Sequence, residues 1–319
     1  MPFKKYSFMK ISGFTIIRNA TIYDFPIVES ISSVLPLVDE FIVVMGDSQD
    51  NTADLVKSID SPKLKIINTE WDTKTFNADG NIYAQQTDLA LKACTGDWCI
   101  YIQADEVLHE DGYTAIRNAC AHYLNDSKVE GFVFKYVHFY GNYDHYIDAL
   151  HFAYPKEVRI VRNLPEIHSW KDAQSFRSIT DFDGISYGKK EGTRKLNCLQ
   201  IDAYMYHYGW SRDPRKIGKK IVEQKTMHDG TVAEHFKTEL YEYGNLSYFP
   251  LFKGKHPKLM ESRIRSMDWG DVLQYTGAPT SNMRKKFKLK YRVINFIENR
   301  ILGGRTLGGF KNYKLIGKA

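Results

Sequence analysis

The sequence predicts an α/β protein: a mixed, mostly parallel sheet flanked by helices, followed by a helical, basic C-terminal extension. Three observations lead there. Over the first hundred residues short apolar runs alternate with longer helical patterns, the order expected when strands cross over through helices. The apolar run at residues 41–45 is continuous, as in a strand covered on both faces. From Pro214 onward the pattern turns helical, and residues 282–319 hold eleven Lys or Arg against one acid, Glu298.

Taken in order, residues 11–17 form the first predicted strand. Asp24 is placed to cap a helix with Pro26 in its first turn and Ile27, Ile31 and Val34 or Leu35 on one face. The second strand, residues 41–45, runs into a polar turn at residues 46–52, where Asp50 can cap a helix through Leu55, Val56 and Ile59. A third strand at residues 64–67, a helix at about residues 81–93 and a fourth strand at residues 98–102 follow. Beyond Gly131 the pattern is mixed, with strand-like runs at residues 131–137, 158–161 and 201–206. No internal repeat or low-complexity linker appears, and the expected division is a core over residues 1–210 and an extension over residues 211–319.

The composition excludes several classes. With 319 residues, 43% hydrophobic and 26% charged, the chain can bury a core without disulfides, and most of it is not disordered. The formal net charge is +6, so with about +10 in residues 282–319 the remainder is mildly acidic by difference. That balance, without a nucleic-acid-binding motif, argues against nucleic acid as a partner. No apolar run reaches the roughly 18–20 residues that cross a bilayer, and the opening Met-Pro-Phe-Lys-Lys-Tyr lacks the apolar stretch of a signal peptide. The expectation is a cytoplasmic protein whose four cysteines, Cys94, Cys99, Cys120 and Cys198, are buried reduced thiols.

The chemistry-bearing residues gather where α/β sheets bind ligands. The fourth strand ends in Gln103-Ala104-Asp105-Glu106, and acids held beyond a strand's carboxyl end present oxygens outward, as metal ligands do. The bland alternative is a helix cap or a solvated turn. Arg159 and Arg162 lie three apart on a predicted strand and so point to opposite faces. Only one can face a site, where it would hold a phosphate or an anionic acceptor; otherwise it makes a surface ion pair. The run His138-Phe139-Tyr140-Gly141-Asn142-Tyr143 suits a loop whose rings can stack on sugars, or a packed hairpin.

Together these features resemble the family 2 glycosyltransferases of the GT-A (Rossmann-like) fold over roughly residues 11–210. The family's second strand usually ends in V-V-D-D-G-S-x-D-x-T; here Val43-Val44-Met45-Gly46-Asp47-Ser48-Gln49-Asp50-Asn51-Thr52 keeps Ser48, Asp50 and Thr52 in register, with Met45 in place of an Asp. The family's D-x-D falls on Gln103-Ala104-Asp105, with Gln in place of the first acid. Tyr206-His207-Tyr208-Gly209-Trp210 looks like the segment that supplies a His to the metal or diphosphate. The resemblance implies a Mn²⁺ or Mg²⁺ ion held by Asp105, Glu106 and His207, since hard oxygen ligands suit such ions. It implies a nucleotide-sugar site drawn from Asn19, Asp47, Ser48, Asp50, Asp88, Gln103 and Arg159. Its catalytic base falls on Asp172, with Glu166 and His168 as competitors.

The implied activity is inverting transfer of a sugar from a nucleotide-diphosphate donor to a hydroxyl of a glycan or lipid-linked acceptor. The alternative is a non-catalytic nucleotide- or glycan-binding module, suggested by Met45 and Gln103 where acids are usual. In the tail, Phe287, Tyr291, Ile294, Ile297 and Ile301 recur at helical spacing among cations. Such a helix either packs on the core or lies on an anionic membrane surface as a peripheral anchor.

Overall fold

Parallel strands make up one half of the central sheet. β1 (Ile11–Ile17) pairs with β2 (Glu40–Met45) on one side and β4 (Trp98–Tyr101) on the other, and β3 (Leu64–Asn68) extends the sheet beyond β2. Helices α1 (Ile27–Val34), α2 (Thr52–Lys57) and α3 (Asn81–Lys92) connect them. The other half is mixed. β4 pairs antiparallel with β7 (Lys156–Arg162), and β7 antiparallel with β6 (Gly131–Tyr140). β6 pairs parallel with the long β11 (Asn197–Trp210), which also takes β5 (Glu106–Leu108) antiparallel and β12 (Lys314–Lys318) parallel. A small antiparallel sheet is built from β8 (Ile167–Trp170), β9 (Ser175–Ile179) and β10 (Thr193–Lys195). The described residues also include helices α4 (Tyr113–His122), α5 (Pro214–Asp229), α6 (Glu261–Arg265) and α7 (Leu289–Phe296). This computed structural model describes residues 9–76, 79–149, 151–229, 241–278, 288–302, 306, 308 and 311–319.

The continuous apolar run of β2 is explained by its two buried faces. Phe41, Val43 and Met45 enter a core with Ile27, Ile31 and Val34 of α1, while Ile42 and Val44 join Phe14, Ala90 and Leu91 on the other side. Each such side chain contributes about 1.5–3 kcal/mol when fully removed from water. The four cysteines are buried and free, as expected.

Several local expectations change. Asp24 does not cap α1, whose first turn has no side-chain cap; its carboxylate instead takes Arg263 at 2.6 Å. The run from His138 to Tyr143 is no loop for sugars: Phe139, Tyr140 and Tyr143 are buried against Tyr206, Tyr208, Tyr243 and Phe249. The chain after Pro214 is not helical throughout, because β12 returns to the edge of the central sheet. In the tail, Phe287 lies outside the described residues, and Ile294 and Ile297 are half-buried. A second apolar row, Leu289, Val293 and Phe296, is exposed.

The sheet is pinned at the end away from the strands' carboxyl ends by Glu40. Its carboxylate accepts from Ser12 Oγ at 2.6 Å, from Thr95 N and Oγ1 at 2.7 Å each, and pairs with Lys65 at 2.6 Å. Gly96 N donates to Ser12 Oγ at 2.8 Å, and a Cβ at Gly96 would lie 2.7 Å from Ser12 N, so only glycine fits this crossing. Burial alone would raise the Glu40 carboxyl, but the bonds from Lys65, Ser12 and Thr95 outweigh it and bring it from 4.5 to about 2. A carboxylate depressed on folding contributes stability that is whole above its unfolded value and lost as pH falls through its folded value. Urea unfolding should therefore show stability declining from pH 4.5 towards about 2, with a shallower decline in Glu40→Gln. An equal slope in both proteins would remove Glu40 from this role.

Candidate active site

A cleft of about 280 Å³ opens at the carboxyl ends of β1 and β4. β1 and its following loop bring Ile16, Ile17 and Arg18, and the link between β4 and β5 brings Gln103, Ala104 and Asp105. The β8–β9 turn adds Asp172, Ala173 and Gln174, β11 adds His207 and Trp210, and α5 adds Lys220, Glu223 and Gln224. Tyr23, Trp71 and Tyr83 supply aromatic wall.

Asp105 is the charge centre of this cleft. Its Oδ2 lies 2.9 Å from Lys220 Nζ and 3.2 Å from Arg212 Nη2, and its Oδ1 lies 3.7 Å from His207 Nε2. Burial opposes its charge, yet the Lys220 and Arg212 cations outweigh burial and hold the carboxyl far below the usual range. Burial and the nearby Arg212 bring Lys220 down to about 8, and burial keeps His207 neutral well below its ordinary value. His207 Nδ1 is 3.0 Å from His138 Nδ1, and His138 Nε2 is 2.7 Å from the Tyr154 carbonyl oxygen. Gly209 makes room for the centre, since a Cβ there would sit 2.6 Å from His207 Nε2 and 2.9 Å from Asp105 Oδ2.

Asp172 is presented by a tight turn. Its neighbours Lys171 and Ala173 both adopt left-handed backbone conformations, with φ of 55° and 61°. Such conformations cost a non-glycine residue of the order of 1 kcal/mol and cluster at functional sites. Gln103 steadies this turn by donating from Nε2 to the Ala173 carbonyl at 3.3 Å.

Residues 26–178 match the model of Glycosyl transferase family 2. Over that stretch the chain resembles a family 2 glycosyl transferase domain. It is 24% identical over 205 residues to a TPR repeat-containing protein of Synechococcus elongatus, covering 64% of this chain and 44% of that protein. It is 32% identical over 102 residues to an uncharacterized glycosyltransferase of Rickettsia typhi, covering 32% of this chain and 30% of the relative. The chain thus spans less than half the length of these curated relatives. Among solved structures it is similar to Staphylococcus aureus TarS 1–349 in complex with UDP (16% identity, TM-score 0.39, 66% of this chain and 63% of that one). It is also similar to the mannosyltransferase PcManGT from Pyrobaculum calidifontis in complex with GDP-Man and Mn²⁺ (21%, TM-score 0.29, 39% and 34%).

The expected site residues divide into two groups. Asp105, His207, Gln103 and Asp172 come together around the cleft. Glu106 does not join them as a ligand: it is fully buried and paired with Arg159, Oε2 to Nε at 2.9 Å and Oε1 to Nη2 at 2.7 Å, with Tyr136 OH donating to Oε1 at 2.8 Å. Arg159, expected on the nucleotide, is consumed by the same pair and does not line the cleft. Asp88 also lies away from it, accepting from Ser169 N at 2.6 Å and pairing with His168 Nδ1 at 2.7 Å, which clamps α3 to β8. Asn19, Ser48 and Asp50 lace two loops together. Asn19, at φ 54°, takes Gln49 N on Oδ1 at 2.8 Å and donates its own N–H to Ser48 Oγ at 3.1 Å. Asp50 Oδ2 takes Thr21 N and Ile22 N at 2.9 Å each. Asp47 is exposed and pairs with Arg18 at 3.2 Å, holding that guanidinium at the cleft rim.

The residues missed by sequence reading are Arg18, Trp71, Tyr83, Arg212, Lys220 and Glu223. Lys220, Glu223 and Gln224 stand three and four apart, one face of a helix, and that spacing was the available signal. Glu223 reaches Arg18 at 2.8 Å, and Trp71 packs edge-on to Tyr83 with ring centroids 5.4 Å apart.

A divalent cation would find two donors here, although Asp105 Oδ2 is already held by Lys220 and Arg212. Asp105 Oδ1 and the neutral His207 ring face each other beyond hydrogen-bond reach, an oxygen and a nitrogen donor of the kind that hold Mn²⁺. Among the described residues no third His, Cys, Asp or Glu completes a group of metal ligands, so the remaining positions would fall to diphosphate oxygens and water.

Breaking the Glu106–Arg159 pair from one side leaves a charge buried and unpaired. Arg159→Leu should therefore lower unfolding stability in urea by about 3–5 kcal/mol, and Glu106→Leu/Arg159→Leu should recover much of the loss. A single variant as stable as the parent would show that the pair does not form.

Proposed function

We propose that the protein transfers a sugar from a nucleotide-diphosphate sugar to a hydroxyl of a glycan or lipid-linked acceptor, with inversion and with a divalent cation. The observation that carries this reading is one cleft, at the carboxyl ends of the strands, in which Asp105, His207, Lys220 and Asp172 converge. Asp105 and His207 would hold the cation, which when bound supplies positive charge to the diphosphate. Lys220 and Arg18 place two further cations on the cleft wall. Charges fixed in a partly dry cleft stabilise developing phosphate charge without having to reorganise. Asp172 takes the acceptor hydroxyl proton as that oxygen bonds to the anomeric carbon. The bond from that carbon to the diphosphate oxygen breaks, and the nucleoside diphosphate leaves with the bonding electrons. Attack and departure on opposite faces invert the centre. Tyr23, Trp71 and Tyr83 offer faces and edges for the base or sugar.

Calorimetric titration with UDP, GDP, CDP and dTDP, first with Mn²⁺ and then with chelator, tests donor class and metal together. One nucleotide should bind, and only with metal, and Asp105→Asn should abolish that binding. Asp172→Asn should keep donor binding while turnover falls by about 10²–10⁴, the usual contribution of a general base. No binding of any nucleotide would favour a non-catalytic module, and full turnover in Asp172→Asn would move the base elsewhere.

We further propose that α7 rests on an anionic membrane surface, which would bring a lipid-linked acceptor within reach. α7 is docked by its polar side: Glu298, just beyond it, is buried against His151 at 2.8 Å, and Asn299 donates to the Asp148 carbonyl at 2.9 Å. Leu289, Val293 and Phe296 consequently face outward, 74%, 48% and 61% exposed, beside exposed Lys288, Lys290, Arg292 and Arg300. Basic residues near an anionic surface contribute about 1 kcal/mol each. Leu289→Glu/Phe296→Glu should weaken sedimentation with phosphatidylglycerol vesicles at least tenfold and leave nucleotide binding unchanged. Equal sedimentation of the variant would end the membrane reading.

A further inference from the structure

His138 and His207 stand directly opposite one another on the parallel neighbours β6 and β11, so their rings meet on one face of the sheet. A neutral imidazole has one nitrogen that donates and one that accepts, and its partners decide which is which. The Tyr154 carbonyl oxygen, 2.7 Å from His138 Nε2, can only accept, so Nε2 carries the His138 proton. His138 Nδ1 then holds a lone pair, and at 3.0 Å it can only receive a proton donated by His207 Nδ1. His207 is left with a lone pair on Nε2, facing Asp105 Oδ1 at 3.7 Å, too far for a hydrogen bond. Two electron-rich atoms thus face each other, with Lys220 and Arg212 on the far oxygen of Asp105. The His138 ring is itself fixed, stacked on Tyr136 at 5.2 Å and set edge-on to Tyr154 at 4.8 Å. Burial keeps His138 neutral, down to about 4.

We propose that His138 is a positioning residue: a relay from the Tyr154 carbonyl through His138 fixes His207 in the Nδ1–H tautomer, so that His207 Nε2 and Asp105 together present lone pairs to a divalent cation. The cation half of this inference rests on the proposed function, and the tautomer half does not. Partners that orient a ligating histidine in this way typically account for about 10- to 100-fold in metal affinity.

Long-range proton–nitrogen correlation spectra of the full chain, labelled on histidine and free of metal, read the tautomer directly. His207, assigned from its missing signals in His207→Gln, should be protonated at Nδ1, and His138→Phe should shift it towards Nε2–H. Mn²⁺ titration in the presence of UDP, followed by the spin-resonance signal of free Mn²⁺, should show affinity about 10- to 100-fold weaker in His138→Phe. His138→Asn, which places a carbonyl oxygen where Nδ1 stood, should retain more affinity than His138→Phe, although Phe fills the space better. Packing alone would give the reverse order and overturn the relay. His207 protonated at Nε2 in the parent protein overturns it whatever the metal does. An Nδ1–H His207 in a protein that binds no Mn²⁺ upholds the relay and overturns the cation reading of the cleft.

Discussion

The buried pair between Glu106 and Arg159 is the joint on which the site depends. Both groups are removed from water, and charges so placed are tolerated only where each meets a partner of fixed geometry. The two contacts of the carboxylate on the guanidinium, with Tyr136 OH and Gln103 N on its remaining lone pairs, meet that demand. They also decide what the preceding residue does. With Glu106 anchored towards β7, Asp105 must face the other way, into the cleft, where Lys220 and Arg212 stand. Two adjacent acids thereby do different work: one fixes the backbone at the end of the sheet and the other supplies the charge.

That division was beyond the reach of sequence reading. Asp105 and Glu106 are both acids after a strand, and what separates them is an arginine some fifty residues away across β4 and β7. The strands themselves are legible: residues 11–17 give β1 at its observed bounds, and the apolar run at residues 41–45 marks a strand buried on two faces, which Glu40 extends by one residue. Local chemistry of that kind is written in consecutive residues. Asp24 failed as a cap because Arg263, distant in the chain, offered a charge-assisted partner that outcompetes a helix N–H. Asn19, Ser48 and Asp50, expected at the nucleotide, instead take backbone N–H groups of the two loops. They hold the rim of the cleft in shape rather than forming its lining.

The balance of charge around Asp105 has a chemical meaning. One carboxylate meets two full cations, Lys220 and Arg212, while His207 stays neutral. Arg212 also faces Asp24, so these charges nearly balance, and both cations sit on Oδ2, leaving Oδ1 and the His207 ring as the donors that remain. Arg18 is matched by Asp47 and Glu223, so its guanidinium serves as a fixed dipole at the rim. Cations fixed beside a carboxylate in this way are held in place before any charged ligand arrives.

Lys220 also settles how the C-terminal part relates to the sheet. Its ammonium reaches Asp105 and donates to the Gly209 carbonyl at 3.2 Å, while Glu223, one turn on, reaches Arg18 at the end of β1. An expected division at residue 210 thus runs through the cleft, because α5 supplies one of its walls. β12 adds a second tie by pairing with β11 at Asn197 and Cys198. A chain ending at residue 210 would leave Asp105 buried beside Arg212's vacated place and without Lys220, a carboxylate in a dry site with no cation to hold it ionised. The cleft carboxylate and the helix that follows the sheet are therefore one electrostatic unit, and the charge of the cleft is a property of both.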